Sequence, residues 1–440
     1  MHAAPVSLAT APSPSIATAD LQVGMFVHLD LGWMSHPFAL SSFRIADAEQ
    51  IATIRALGLA RVRWSPEQSD TAPRGPGKTA TGATTPDDAG VVPTRPTAAA
   101  QPARSPLAAH RNSTDLAQRQ YAEAARDWRN AAELATRDPA AAGARLAALS
   151  QALLDKMLDA RELSIRTVAA APSEYVSHAL NVGVLALLMG RMCGLSAVEL
   201  QDLGVGALAH DIGKIELPPA LHKADPNFTV AEMSRYRDHV GLGVALGQRM
   251  SLTPGALLVI GQHHEHMDGS GFPQGVTGQR ISTPARVCAL ANRYDNLCHP
   301  SRRSTAMTPH EALSLLFSQG QRQYEPALLN TFVRMMGVYP PGSVVQLTDD
   351  RYAVVESVSA SRPLKPKVQV HDPAGGPEQT ALIDLSQQRA LGIRRALPPE
   401  QVPAESREHL MSRRRSVWFF EATDDAAARD ADDESEQRAG

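Results

Sequence analysis

Six residues of metal-ligating type recur over a short stretch: His178, the doublet His210-Asp211, His239 and the doublet His263-His264, with Glu174 just ahead of His178. Imidazole and carboxylate are the ligands that suit Fe, Mn and Zn centres. Neighbouring side chains on a helix diverge by about 100°, so an adjacent pair of ligands addresses two ions side by side better than it grips one. Glu174 and His178 are four apart and face one point from the same helical face. Any one of these histidines alone reads as a hydrogen-bonded core residue, but two doublets and two singles together point to a polynuclear metal centre. Lys214, one turn beyond the first doublet, adds a positive charge beside it.

The elements that must position these residues are marked by start signals. Ser196 with Glu199, Thr229 with Glu232 and Thr308 with Glu311 are capping boxes, and Pro254 and Pro309 each follow a threonine as first-turn prolines do. They predict at least five helices between residues 174 and 336, no strand among them, and the ligand residues at helix ends. Helical periodicity ahead of them runs from near Asp115 through Leu146, Leu149, Leu153, Leu154, Met157 and Leu158. After them, Val344–Leu347, Tyr352–Val355 and Val368–Val370 are short β patterns parted by turn residues. Between Leu21 and Trp64 the pattern predicts a strand at Met25–Val27, a hairpin with an aromatic face from Trp33 to Ile45, a helix capped by Asp47 and stopped at Gly58, and a strand at Leu59–Trp64.

The chain has 440 residues, 43% apolar and 20% charged, with 30 Gly and 32 Pro, which gives room for two or three domains and excludes collagen, a coiled coil or wholesale disorder. Cys193, Cys288 and Cys298 form no C-x-x-C pair, so neither a disulfide framework nor a zinc ribbon is expected and a cytoplasmic setting follows. No signal peptide is evident, and the nearly apolar stretch 179–190 is too short to span a bilayer, so no membrane insertion is expected. Net charge is −3, with eight acidic and two basic side chains in 421–440; the remainder lacks the basic excess that duplex nucleic acid demands. Residues 69–106 hold seven prolines and no aromatic residue, the composition of a linker. The expected organisation is a disordered tail (1–19), a small α+β module (20–68), a flexible linker (69–113), a helical domain (114–338), a small β appendage (339–395) and a flexible tail (396–440). The fold class is mainly α.

His210-Asp211-Ile212-Gly213-Lys214, followed by His263-His264-Glu265 and Asp268-Gly269-Ser270-Gly271-Phe272-Pro273, resembles the HD-GYP family, phosphodiesterases of the HD superfamily that open cyclic di-GMP. The likeness covers about residues 174–336. Gly24-Met25-Phe26-Val27, with Trp33 and His36-Pro37-Phe38, also resembles a domain of unknown function commonly found ahead of HD-GYP domains. The resemblance implies a helical HD-type bundle and a bacterial signalling hydrolase that converts cyclic di-GMP to linear pGpG, with further cleavage to GMP left open. It further implies two or three divalent transition ions, Fe or Mn, held by His178, His210, Asp211, His239, His263 and His264, with Asp211 bridging and Glu174 as the extra carboxylate of three-metal members. Asp211 and Lys214 would be catalytic, and Lys214, Gly271, Phe272, Arg302 and Arg303 would contact the substrate. Signalling proteins such as diguanylate cyclases and a second copy of the chain are the partners the family suggests.

Three positions depart from the pattern. In Ala291-Asn292-Arg293-Tyr294-Asp295 the family's metal-binding aspartate is Asn292, whose amide oxygen still coordinates but brings no charge; Asp295 lies close to the same helical face. The tyrosine of the GYP triplet is Phe272, without the hydroxyl. The phosphate-clamping arginine is replaced by Ser301, with Arg302 and Arg303 just after. Two readings stay open: a working phosphodiesterase, and a degenerate domain that binds cyclic di-GMP or a partner protein without hydrolysing it.

Overall fold

The computed structural model describes residues 14–30, 42–70, 106–158, 162–171, 173–300, 302–371, 380–410 and 416–423. Residues 33–41 of the hairpin expected from Trp33 to Ile45, most of the linker, Ser301 and the acidic end lie outside the described residues.

In the N-terminal unit, strands β1 (Ser15–Ala17), β2 (Phe26–His28), β3 (Ser42–Arg44) and β4 (Arg61–Ser65) form an antiparallel sheet in the order β1-β4-β2-β3. Helix α1 (Ala48–Ala56) starts where Asp47 accepts a hydrogen bond from the Gln50 amide, as expected from sequence. Met25, Val27, Ile45, Ile54 and Val62 are its buried core. The tail expected over 1–19 is corrected at its end: Ile16 is buried as β1 pairs with β4.

The second unit holds α2 (Pro106–Leu134), α3 (Pro139–Leu158), α4 (Glu174–Met192), α5 (Ala197–Ala209), α6 (Val230–Arg249), α7 (Pro254–Gln262), α8 (Thr283–Cys298), α9 (Pro309–Gln319) and α10 (Pro326–Met336). Helix α4 is apolar nearly all round, with Val176 to Gly190 almost entirely buried, and this makes it the central helix, packed against α5 and α8. The three capping boxes form, and Pro254 and Pro309 occupy first-turn positions. Because α2 begins at Pro106, residues 106–113 are helix rather than linker.

Seven strands complete this unit: β5 (Glu162–Ala169), β6 (Val344–Leu347), β7 (Tyr352–Ser359), β8 (Lys367–His371), β9 (Thr380–Asp384), β10 (Ile393–Ala396) and β11 (Ser416–Thr423). The first half of β7 carries β6 and its second half β5, with β8 along the other edge. Two expectations are corrected here. The helical stretch 114–338 contains a strand, β5. The tail 396–440 contains a short helix, α11 (Ala404–Leu410), and the strand β11, whose eight residues all pair with β5. Val417, Trp418, Phe419 and Phe420 are each at most 2% exposed: an aromatic run that water disfavours is buried against the bundle. No described helix is long and apolar enough to cross a membrane.

Candidate metal centre

Four helices deliver the predicted ligands to one place. α4 carries His178; α5 ends at His210, followed by Asp211 and a 3₁₀ turn over 212–216; α6 carries His239; α7 ends at His263, next to His264. His210, His239 and His263 use one device. Each ring Nδ1 donates to the carbonyl three residues back, on Ala207 (2.7 Å), Tyr236 (2.6 Å) and Ile260 (2.7 Å), which turns Nε2 inward: that of His210 lies 3.1 Å from His178 Nε2 and that of His239 3.4 Å from His263 Nε2. Burial pushes the His239 imidazole down to about 4, and burial with the charge of neighbouring histidines pushes His263 and His264 well below their usual range, so these rings are neutral acceptors.

Asp211 lies between two groups. Its Oδ2 is 3.4 Å from Nε2 of both His178 and His210, while its Oδ1 is 3.4 Å from Nε2 of His239 and 3.8 Å from that of His263. Burial alone would raise the Asp211 carboxyl, yet the charges of Lys214 and His210 and the hydrogen bonds from His178 and His210 hold it well below the usual carboxylate range. Asp211 Oδ1 and His264 Nε2 are buried with no hydrogen-bond partner. A buried polar atom without a partner is costly, and a cation is what both atoms would meet. Among the described residues, the groups Asp211, His239, His263, His264 and His178, His210, Asp211 each bring their ligand atoms within 4.8 Å of one another. The donor set therefore fits metal ions.

Asp295 stands behind the ligands. It accepts from His178 Nδ1 (2.6 Å), Asn181 Nδ2 (2.6 Å) and His299 Nδ1 (2.7 Å). Burial works against its charge, but His299 and His178 hold its carboxyl far below the usual range. In turn, burial disfavours a charged His178, and the bonds to Asp211 and Asp295 outweigh it, raising the ring to about 9.

Of the remaining predicted residues, Glu174, Lys214, Phe272, Asn292 and Arg302 line a cavity of about 510 Å³ above this floor. Gly271 allows a close approach that no side chain would: a Cβ there would lie 2.4 Å from the His264 carbonyl oxygen. Phe272 stacks on His264, centroids 4.3 Å apart. Glu265 accepts from the amides of Gln274 (2.8 Å) and Val276 (3.1 Å) and so closes this loop. Lys214 donates to Asp211 Oδ2 at 2.6 Å.

Three predicted residues are placed differently from expectation. Glu174 is apart from both groups, its carboxylate held by Lys223. Asn292 is buried, but its Oδ1 accepts from Asn296 at 2.7 Å, and its neighbour Asp295 turns toward His178 rather than into the ligand groups. Arg302 reaches the cavity paired with Asp225 at 2.8 Å, while the side chain of Arg303 lies outside the described residues. Sequence reasoning missed Arg237 and Arg293, cavity cations for which no carboxylate contact is found among the described residues; Arg237 lies 5.1 Å from the Phe272 ring centre. Nothing in their local sequence distinguishes them from solvated helix-surface arginines.

A helical bundle whose helix ends converge on two histidine groups sharing one aspartate defines an HD-type domain. Residues 145–328 match the HD domain family and residues 14–145 the Domain of unknown function (DUF3391); the chain thus carries an HD domain with that module ahead of it. It is 30% identical over 200 residues to the cyclic di-GMP phosphodiesterase response regulator RpfG of Xanthomonas campestris pv. campestris, covering 43% of this chain and 53% of that protein. It is 26% identical over 361 residues to the cyclic di-GMP phosphodiesterase PA4108 of Pseudomonas aeruginosa, covering 81% and 84%. It is also 26% identical over 185 residues to the 3'3'-cGAMP-specific phosphodiesterase 2 of Vibrio cholerae, covering 40% and 35%. The chain thus spans about half the length of the first relative and a third of the last.

Proposed function

We propose that this chain is a metal-dependent phosphodiesterase that hydrolyses cyclic di-GMP to linear pGpG in bacterial second-messenger signalling. The observation that carries this reading is the shared carboxylate: Asp211 faces His178 and His210 with one oxygen and His239 and His263 with the other. Two divalent ions, Fe or Mn, suit that set, and when bound they supply the Lewis acidity that makes water a nucleophile near neutral pH and neutralises the phosphoryl oxygens. The salt bridge of Glu174 to Lys223 favours two ions over three.

The chain's own residues do the rest. Lys214 keeps a positive charge at the cavity floor, where it would receive a phosphodiester oxygen. Arg237 and Arg293, on α6 and α8, would bind the phosphates in place of the expected clamp, because Arg302 is already engaged by Asp225. Phe272, fixed on His264, forms the wall against which the nucleotide lies.

Metal analysis of anaerobically purified full chain, with turnover of cyclic di-GMP and 3'3'-cGAMP measured side by side, tests the reading. Two ions per chain and preferential cleavage of cyclic di-GMP support it; full loading without turnover favours the binding-only alternative, which the substitution at Asn292 motivates. Within the enzyme reading, Arg237→Ala removes one charge-assisted contact and raises KM for cyclic di-GMP roughly tenfold with little change in kcat. Asn292→Asp adds a carboxylate at the site's edge and raises ion occupancy at limiting metal, and turnover with it. An unchanged KM, or unchanged occupancy, refutes the respective assignment.

A further inference from the structure

The strand β11 lies beyond the stretch that matches the HD domain, yet one of its side chains reaches the residues behind the metal ligands. Trp418 is buried, its Nε1 donates to the Pro341 carbonyl (3.1 Å), and its ring lies 4.9 Å from that of Tyr294 and 5.0 Å from that of His299. His299 caps the end of α8: its backbone N–H still donates to the Asp295 carbonyl (2.7 Å), but its own backbone (φ −130°, ψ 56°) has left helical geometry. Its Nδ1 nonetheless donates to Asp295 Oδ1 at 2.7 Å. Asp295 Oδ2 in turn accepts from His178 Nδ1 at 2.6 Å, which leaves His178 Nε2 facing Asp211.

We infer that the C-terminal strand is a working part of the metal centre: Trp418 is a positioning residue that holds His299 on Asp295 and thereby fixes the ligand His178. This rests on the metal reading proposed above. The carboxylate plane of Asp295 is set by two donors on Oδ1, Asn181 and His299. Removing one lets the carboxylate turn, and the His178 ring loses the partner that selects its tautomer and aim. The strand itself is firmly placed. All eight of its residues pair with β5, and Glu421 is bound at 3.0 Å to Arg166, a fully buried arginine on β5 that also meets Glu356 of β7 at 2.9 Å. Phe419 points to the opposite face, its ring 5.8 Å from Tyr121 of α2.

This geometry makes the effect selective, because His178 belongs to only one of the two ligand groups. Titration of the full-length chain with Mn²⁺, followed by EPR, should show two ions in the parent. In Trp418→Leu, and in His299→Phe, which keeps a ring against Trp418 but loses the donor to Asp295, one ion should bind about 10- to 100-fold more weakly while the other is unchanged. Phe419→Leu, a loss of packing on the other face of the same strand, should lower Tm without altering either ion. Should Trp418→Leu fail to fold, His299→Phe decides. Parent-like affinity for both ions in His299→Phe or in folded Trp418→Leu overturns the inference, as does equal weakening of both ions in all three variants. A parent chain that binds fewer than two ions overturns the metal reading itself, and this inference falls with it.

Discussion

Asp211→Asn is expected to remove both ions and bring phosphodiester hydrolysis below detection. The substitution keeps the shape of the side chain but withdraws the negative charge that both histidine groups share, and an amide presents only one oxygen where two are used. It also strands Lys214, which is buried and donates to Asp211 Oδ2. Breaking a buried pair from one side costs about 3 kcal/mol at the lower end of the usual range, and the lower end applies because Lys214 borders the cavity. Loss of activity therefore has two separable causes. The double variant Asp211→Asn/Lys214→Met removes the stranded charge and should recover most of the lost Tm while staying free of ions and inactive. Thermal unfolding and metal analysis on the pair distinguish the two causes. Two ions retained in folded Asp211→Asn would show that the carboxylate does not bridge.

What was legible in the sequence was local. Capping boxes, first-turn prolines and the short β patterns of β6, β7 and β8 are decided by residues within a few positions of one another, and each formed where expected. The ligands were legible because their types and spacing, two doublets and two singles followed by the 268–273 loop, are carried in the sequence itself. β5 and β11 were not, because their pairing joins residues 162–169 to 416–423, and no local pattern records a partner that far away. β11 also lacks alternation: Val417 to Phe420 are buried on both faces, and a run apolar throughout does not declare its period. Arg166 misleads in the opposite direction. A charged residue inside a strand reads as solvent-facing, yet here Glu356 and Glu421 supply the charge that lets it be buried. Asp295 was legible as a carboxylate near the site, but its task depended on His299 and Asn181, whose positions only the folded helices determine.

Gly213, in the turn after the first doublet, carries the second large expectation. A Cβ at this position would lie 2.1 Å from the His239 carbonyl oxygen and 2.4 Å from the Gly243 amide nitrogen. Both are backbone atoms of α6, so no rotamer change relieves the contact, and the helix must retreat by roughly 1 Å to restore an ordinary separation. His239 is on that helix, with Nε2 3.4 Å from Asp211 Oδ1, so the retreat draws this ligand out of its group. Gly213→Ala should therefore lose the ion held by Asp211, His239, His263 and His264 and keep the one beside His178 and His210, the reverse of the selectivity expected for Trp418→Leu. Overpacking of this kind costs about 1–3 kcal/mol, and a displacement of that size at the reacting centre lowers kcat by about 100-fold. Gly243→Ala is the control on the same helix. The nearest atoms to its Cβ would be the Ile260 Cγ2 at 3.1 Å and, at ordinary contact distance, the Gly213 nitrogen at 3.5 Å and Cα at 3.8 Å, and a side-chain methyl can shift by the few tenths of an ångström required. Metal stoichiometry and kcat should stay near parent values in Gly243→Ala and fall in Gly213→Ala; two ions at parent affinity in Gly213→Ala would mean that α6 does not set the position of His239 in the centre.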